Sequence, residues 1–304
     1  MVRPLENLPE DARRELAAIG PVWGRNIQGH RDRVLELYRP LLARAPKAGV
    51  DVARSMSYGS HPRQILDVYR PSGAKSAPVV VFVHGGAYVR GDKDVNDEVY
   101  ANVLYYFARH GYLGLNVEYR LAPEFKYPSG AEDVAAAVAW AGQHAREHDG
   151  DPERIFLIGH SAGGTHVAAY AYDPDVPARP SPVVKGIVLI SGRLRVDVLP
   201  DNPNASAVRA YFGDDESQYE PRSPVTHAAA SRLPVFIAIA EYENPYLDVY
   251  GAELCYRIAA ARGRAPRFLR LPRHNHISMV AHFNTEEDLL GGEIRDFFAT
   301  ECEP

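Results

Sequence analysis

The sequence predicts an α/β protein: a mostly parallel central sheet with helices on both faces, completed by a helical cap. Strand-like and helix-like segments alternate from about residue 78 to the end, the pattern of parallel strands joined through crossover helices. Val79 to Val83 is an uninterrupted apolar run, as expected for a strand covered on both sides. The chain has 304 residues, 46% hydrophobic and 24% charged, so it can bury a large core without disulfide or metal staples.

Residues 1–50 read as helical, and Arg31 to Ala45 puts Val34, Leu35, Tyr38, Leu41 and Leu42 on one face. Pro40 is expected to kink or divide that helix. Strands are expected at about 50–57, Gln64–Tyr69, Val79–His84, Leu113–Tyr119, Ile155–Gly159, Gly186–Ile190, Val235–Ala240 and Phe268–Leu271. Helices are expected at Ala131–Ala145, Ala162–Tyr172, Gly251–Ala261 and Glu286–Phe298. The Pro-rich, polar segment 192–232 breaks the alternation; so long an irregular stretch carries function or small elements of its own. The expected organisation is an N-terminal helical cap segment over 1–50 and a catalytic domain over 51–304, with a cap insertion at 192–232.

A formal net charge of −5 offers no electrostatic footprint for nucleic acid or an anionic membrane. Val79–Val83 is the longest strongly apolar run, far short of the roughly 20 residues that span a bilayer. Cys255 and Cys302 are the only cysteines, too few for a disulfide scaffold or a thiolate zinc site. A cytoplasmic location is the expectation.

Gly159-His160-Ser161-Ala162-Gly163-Gly164 lies between a strand and a helix. A serine on such a turn is held in a strained backbone conformation, and its neighbours two residues away must lack side chains. The helix that starts there favours negative charge at its N-terminus. His84-Gly85-Gly86-Ala87-Tyr88 follows the third strand. Its small residues suit backbone donors to a tetrahedral oxyanion, expected from Gly86, Ala87 and Ala162, with Gly85 shaping the loop.

A serine nucleophile needs a histidine base, and the histidine a carboxylate to fix its tautomer. His276, in the loop after the last strand, is the expected base, with His274 as the alternative. For the acid, Glu241-Tyr242-Glu243-Asn244-Pro245-Tyr246-Leu247-Asp248 follows strand Val235–Ala240. Glu243 leads and Asp248 is the alternative, though Asp248 also suits a helix N-cap; Glu241 falls at the strand end. His274, His276 and His282 could suggest a metal, but no carboxylate or cysteine cluster completes a site. Tyr88, Tyr211 and Phe212 are expected to line the substrate pocket, with Trp23 reaching in from the N-terminal helices.

Together these residues resemble the α/β-hydrolase superfamily and, within it, the hormone-sensitive-lipase-like carboxylesterases. The marks are His84-Gly85-Gly86, the stretch Tyr119-Arg120-Leu121-Ala122-Pro123-Glu124 followed by Tyr127-Pro128 and Glu132-Asp133, and Gly159-His160-Ser161-Ala162-Gly163-Gly164. The resemblance implies the α/β-hydrolase fold, a Ser/acid/His esterase without a cofactor, and often a homodimer. That family usually places Asp in a Glu-Leu-Asp-Pro setting, where this chain has Glu241-Tyr242-Glu243-Asn244-Pro245. Leu66-Asp67-Val68-Tyr69, Gly85-Gly86-Ala87-Tyr88 and Ser161-Ala162-Gly163-Gly164 also resemble kynurenine-formamidase-like hydrolases.

The leading expectation is a serine carboxylesterase that acts on small or aromatic esters through an acyl-enzyme on Ser161. The alternatives are an arylformamidase acting on a substrate like N-formylkynurenine with the same residues, and a non-catalytic ligand receptor on the same fold. The expected partner is a small-molecule ester or formamide, with no nucleic acid and no membrane.

Overall fold

The computed structural model describes residues 5–6, 8–96, 98–177 and 180–302. Eight strands form one sheet: β1 (Val50–Ser57), β2 (Ile65–Pro71), β3 (Ala77–Val83), β4 (Leu113–Val117), β5 (Gly150–His160), β6 (Val184–Ile190), β7 (Val235–Tyr242) and β8 (Arg267–Asn275). Their spatial order is β1-β2-β4-β3-β5-β6-β7-β8. β2 runs antiparallel to both its neighbours, and every pairing from β4 to β8 is parallel.

The helices are α1 (Glu10–Ile19), α2 (Ile27–Ala43), α3 (Ala101–Arg109), α4 (Ser129–His144), α5 (Ala162–Tyr172), α6 (Ala205–Phe212), α7 (Leu247–Arg262), the single turn α8 (Ser278–Ala281) and α9 (Leu289–Phe297). Among the described residues, no helix is long and apolar enough to cross a membrane.

Alternation along each strand feeds two cores. Val80 and Phe82, with Phe156, Ile158, Val188, Ile190 and Phe236, face α1, α2, α3 and α9. Val79, Val81 and Val83, with Ile155, Leu157, Ile187 and Leu189, face α4, α5 and α7. Both sides of β3 are therefore dry, which explains its unbroken apolar sequence.

The N-terminal helices join the first of these cores. Leu16, Trp23, Val34, Leu35, Tyr38 and Leu42 pack into it continuously with α3 and α9. Pro40 does not divide α2, which runs on to Ala43. The proline lies in the last turn, where few backbone bonds remain to be lost, and buried Tyr38 and Leu42 hold that turn in place.

The structure adds helix α3, which the sequence reading missed. Asn102, Tyr105 and Tyr106 interrupt the apolar face of Ala101–Arg109. Asn102 belongs inside because its amide donates to the carbonyls of Val280 and Phe283. α7 begins at Leu247, four residues earlier than its pattern suggests, after Tyr246 in a left-handed conformation. The 192–232 segment carries α6 and short 3₁₀ turns at Glu216–Gln218 and Pro224–His227.

Phe156 on β5 stacks on Phe298 with ring centroids 4.1 Å apart, at full burial. Truncation to alanine leaves a cavity the rigid sheet cannot close. Phe156→Ala is expected to cost about 3–5 kcal/mol, read as a fall in the urea midpoint at an unchanged slope.

Candidate active site

The carboxyl ends of β3, β5, β6 and β7 and the loop after β8 meet at one place. Ser161 lies between β5 and α5 with φ 55° and ψ −119°, a conformation that is costly for a residue with a Cβ. Two close approaches make it attainable. A Cβ on Gly159 would lie 2.4 Å from the Gly163 carbonyl oxygen, and one on Gly163 only 2.1 Å from that of Val83. The Ser161 N–H is anchored on the Ile190 carbonyl at 2.9 Å.

His276 Nε2 lies 3.1 Å from Ser161 Oγ. Its Nδ1 lies 2.8 Å from Glu243 Oε2. The other carboxylate oxygen of Glu243 accepts from Ser191 Oγ and from the Ala240 N–H at 2.8 Å. Glu243 is thus fixed by two donors and presents one oxygen to the imidazole.

The alternatives lie elsewhere. Asp248 is exposed in the first turn of α7, so of the three carboxylates between 241 and 248 only Glu243 meets the histidine. Nor is Asp248 the N-cap, a position held by Tyr246. Glu241 accepts from the Arg273 N–H at 2.7 Å and pairs with Arg270 along the sheet edge. His274 is fully buried, between Glu287 Oε1 at 2.7 Å and Ser278 Oγ at 3.0 Å. It is a packing residue rather than a solvated one, because β8 extends to Asn275 and draws it into the core. Among the described residues, no group of three histidine, cysteine or carboxylate side chains could hold a metal ion.

Gly86, with φ 146°, and Ala87, with φ 51°, turn the loop after β3. A Cβ on Gly86 would meet the Arg90 carbonyl oxygen at 1.8 Å. Among the described residues, the N–H groups of Gly86 and Ala87 donate to no backbone carbonyl, and Ala162 opens α5, where the first N–H groups have no partner within the helix. The loop is tied down from beneath. His84 faces the Gly85 carbonyl at 2.6 Å and Glu118 Oε1 at 2.9 Å. Glu118 also accepts from the Lys93 N–H and pairs with Arg63. Burial raises the pKa of Glu118, but the bond from His84 and the charges around it hold it below the ordinary value. Tyr119 donates to the His84 carbonyl, and Arg120 is held by Asp133.

The sequence reading passed over His160. Its Nε2–H donates to the His276 carbonyl at 3.0 Å, and its Nδ1 faces the Tyr100 hydroxyl at 3.2 Å. That hydroxyl lies beside Gly85, where a Cβ would approach it to 3.0 Å. A buried pair of polar side chains, Tyr100 and His160, therefore reaches from beside the loop after β3 to the backbone of His276. Ser191 and Glu118 were missed as well. Each directly follows a strand, at the carboxyl end where open α/β sheets place their functional groups, and that position was the available signal.

Two cavities meet at Ser161. The larger, about 650 Å³ including its open mouth, is lined by Trp23, Ile27, Arg31, Arg90, Asn244 and His276, among others. The smaller, about 250 Å³, is lined by Tyr88, Ala162, Arg193 and Leu247, among others. Trp23 reaches in from the N-terminal segment, and its Nε1–H donates to Asn244 Oδ1 at 2.9 Å.

Of the three aromatic residues expected in the pocket wall, only Tyr88 reaches a cavity at Ser161. Tyr211 and Phe212 line neither. Tyr211 stacks on Tyr88 at 4.9 Å, and its hydroxyl accepts the Gly130 N–H. Phe212 packs edge-on against the same ring. They form a small core beneath α6 because the helix turns its aromatic face toward the body of the protein.

The eight-stranded sheet, with the strained serine turn at its strand ends, is the α/β-hydrolase fold. The chain has that fold and is similar in sequence to carboxylesterases. The BD-FAE family model matches residues 66–178. Esterase LipC of Mycobacterium tuberculosis is 37% identical over 150 residues, 46% of this chain and 36% of that one. An arylesterase of Saccharolobus solfataricus is 27% identical over 281 residues, 85% of this chain and 88% of that one. Across the first three mycobacterial esterases, the matches span 32% to 56% of the relative's length. Esterase B of Lactobacillus rhamnosis shares the fold, with a TM-score of 0.73 at 19% identity over 95% of this chain and 96% of that one.

Burial pushes three histidines toward neutrality. His282 falls from 6.5 to about 4 and His166 to about 3, and His160 lies well below 6.5, also repelled by His276. The unfolded chain binds more protons than the native one below about pH 6.5, so the stability these groups contribute is present above that pH and is lost as pH falls. The thermal midpoint is expected to drop between pH 7 and pH 4. A flat profile over that interval would refute neutral burial.

Proposed function

We propose that the protein is a carboxylic-ester hydrolase that works through an acyl-enzyme on Ser161. The observation that carries this reading is the continuous relay from Ser161 Oγ to His276 at 3.1 Å and on to Glu243 at 2.8 Å. A receptor has no use for a base held in line with a serine.

In this mechanism His276 takes the Ser161 proton as Oγ attacks the acyl carbon. Glu243 fixes the imidazole tautomer and stabilises its charged form. The developing oxyanion is met by the N–H groups of Gly86, Ala87 and Ala162, and each such donor is worth about 100- to 1000-fold in rate. His276 then protonates the leaving oxygen. It next activates a water that releases the acid and restores Ser161.

His276 lines the larger cavity and not the smaller one. The group it protonates therefore departs through the larger cavity, and the acyl group occupies the smaller. Tyr88 and Leu247 bound that space, which suits short acyl chains. The N-terminal segment, through Trp23 and Ile27, and the 192–232 insertion, through Asn204, serve as the cap over the cleft.

Ser161→Ala is expected to abolish hydrolysis of para-nitrophenyl acetate with an unchanged circular dichroism spectrum. Activity within about tenfold of the parent would overturn the assignment. Glu243→Gln should lower kcat by about 10⁴-fold, by analogy with an acid that sets the histidine tautomer. Asp248→Asn should leave kcat unchanged, and the opposite ranking would move the acid. On an ester panel, acetate and butyrate should exceed octanoate in kcat/KM; faster octanoate turnover would contradict a short acyl site.

A further inference from the structure

The larger cavity carries a charge pattern that ester hydrolysis alone does not require. Two arginines line it: Arg31 from α2, and Arg90 from the turn that closes the loop after β3. The Arg90 N–H bonds the Gly86 carbonyl at 3.1 Å, so its side chain rises from the same turn as the N–H groups aimed at the oxyanion. No Asp or Glu among the described residues lines the cavity. Among the described residues, Arg90 has no carboxylate within ion-pair distance; its one polar side-chain contact is Asn204 Oδ1 at 3.5 Å. Arg31 shares Nη1 with Asp32 at 2.8 Å, an exposed pair worth little in water. In a chain of net charge −5, an unneutralised guanidinium and a weakly paired one beside a reactive serine form a local positive field. Trp23 and Ile27 add apolar lining to the same cavity.

We propose that this cavity selects esters whose leaving alcohol or phenol bears a carboxylate, with Arg31 and Arg90 as its anion site. The proposal rests on the esterase reading, and it names the half of the substrate that departs. Guanidinium groups suit a carboxylate because their planar donors match its two oxygens. The chemistry at the serine is unaltered. The Ser161 Oγ–acyl bond forms, the ester C–O bond breaks, and the serine proton passes through His276 to the leaving oxygen. The carboxylate stays bound and unreacted, and its field-driven capture acts mainly on KM.

The test compares para-acetoxybenzoate with its methyl ester, which masks the charge and, if anything, has the better leaving phenol. Initial rates are measured at low ionic strength on the parent protein and on Arg31→Gln, Arg90→Gln and the double variant. In the parent, kcat/KM for the carboxylate ester should exceed that for the methyl ester. The ratio should fall by about tenfold in the double variant, chiefly through KM, as expected for loss of a partly exposed charge contact. Salt at about 0.5 M, where the screening length is near 4 Å, should lower the parent ratio and leave that of the double variant in place. An identical ratio in the parent and all variants, with the methyl ester still hydrolysed, overturns the anion site and leaves the esterase reading intact. Failure to hydrolyse either ester, with no fluorophosphonate label on Ser161, overturns both.

Discussion

The carboxyl end of β5 and the start of α5 must pass closer to the backbone of β3 than any side chain permits. Gly163 lies beneath the Val83 carbonyl, and Gly159 faces Gly163 itself. Every other placement at the site follows from that approach. It lifts Ser161 off the sheet, turns the first N–H groups of α5 toward the same space, and brings the loop after β3 alongside. The cost of the backbone conformation at Ser161 is offset by the parallel ladder on either side of β5 and by the bond to Ile190.

A second layer keeps these parts in register. His84, Glu118, Arg63 and Lys93 form one network under the loop after β3. His160 and Tyr100 form another, which reaches the backbone of His276. Buried polar groups of this kind stabilise only when each finds a partner. Their geometry is therefore demanding, and it holds in place loops that have little regular hydrogen bonding of their own.

How much of this was legible in the sequence depends on how local each requirement is. The turn at Ser161 and the loop at Gly86 are written in consecutive residues, since small side chains are needed at fixed offsets. The doubly buried β3 was readable for the same reason. Among Glu241, Glu243 and Asp248 the sequence could rank Glu243 first but not fix it, because its placement depends on Ser191 at the end of the neighbouring β6 as well as on the nearby Ala240 N–H. Tyr211 and Phe212 looked like pocket walls because an aromatic residue in a polar insertion suits a cavity or a core equally well. The hidden side of α6 decides between the two. Helix α3 escaped because a buried asparagine breaks its apolar pattern, and the carbonyls that satisfy it lie some 180 residues away in the chain.

The bond from Trp23 to Asn244 joins a wall supplied by the first helices to a loop that leaves β7. Part of the surface that frames the cleft is thus encoded in a stretch of the chain distant from the serine turn. Such a division lets one vary while the other stays fixed. Substitutions between Trp23 and Arg31 can reshape the cleft wall from outside the serine turn, so the cleft can diversify through the outer helices while that turn remains unchanged.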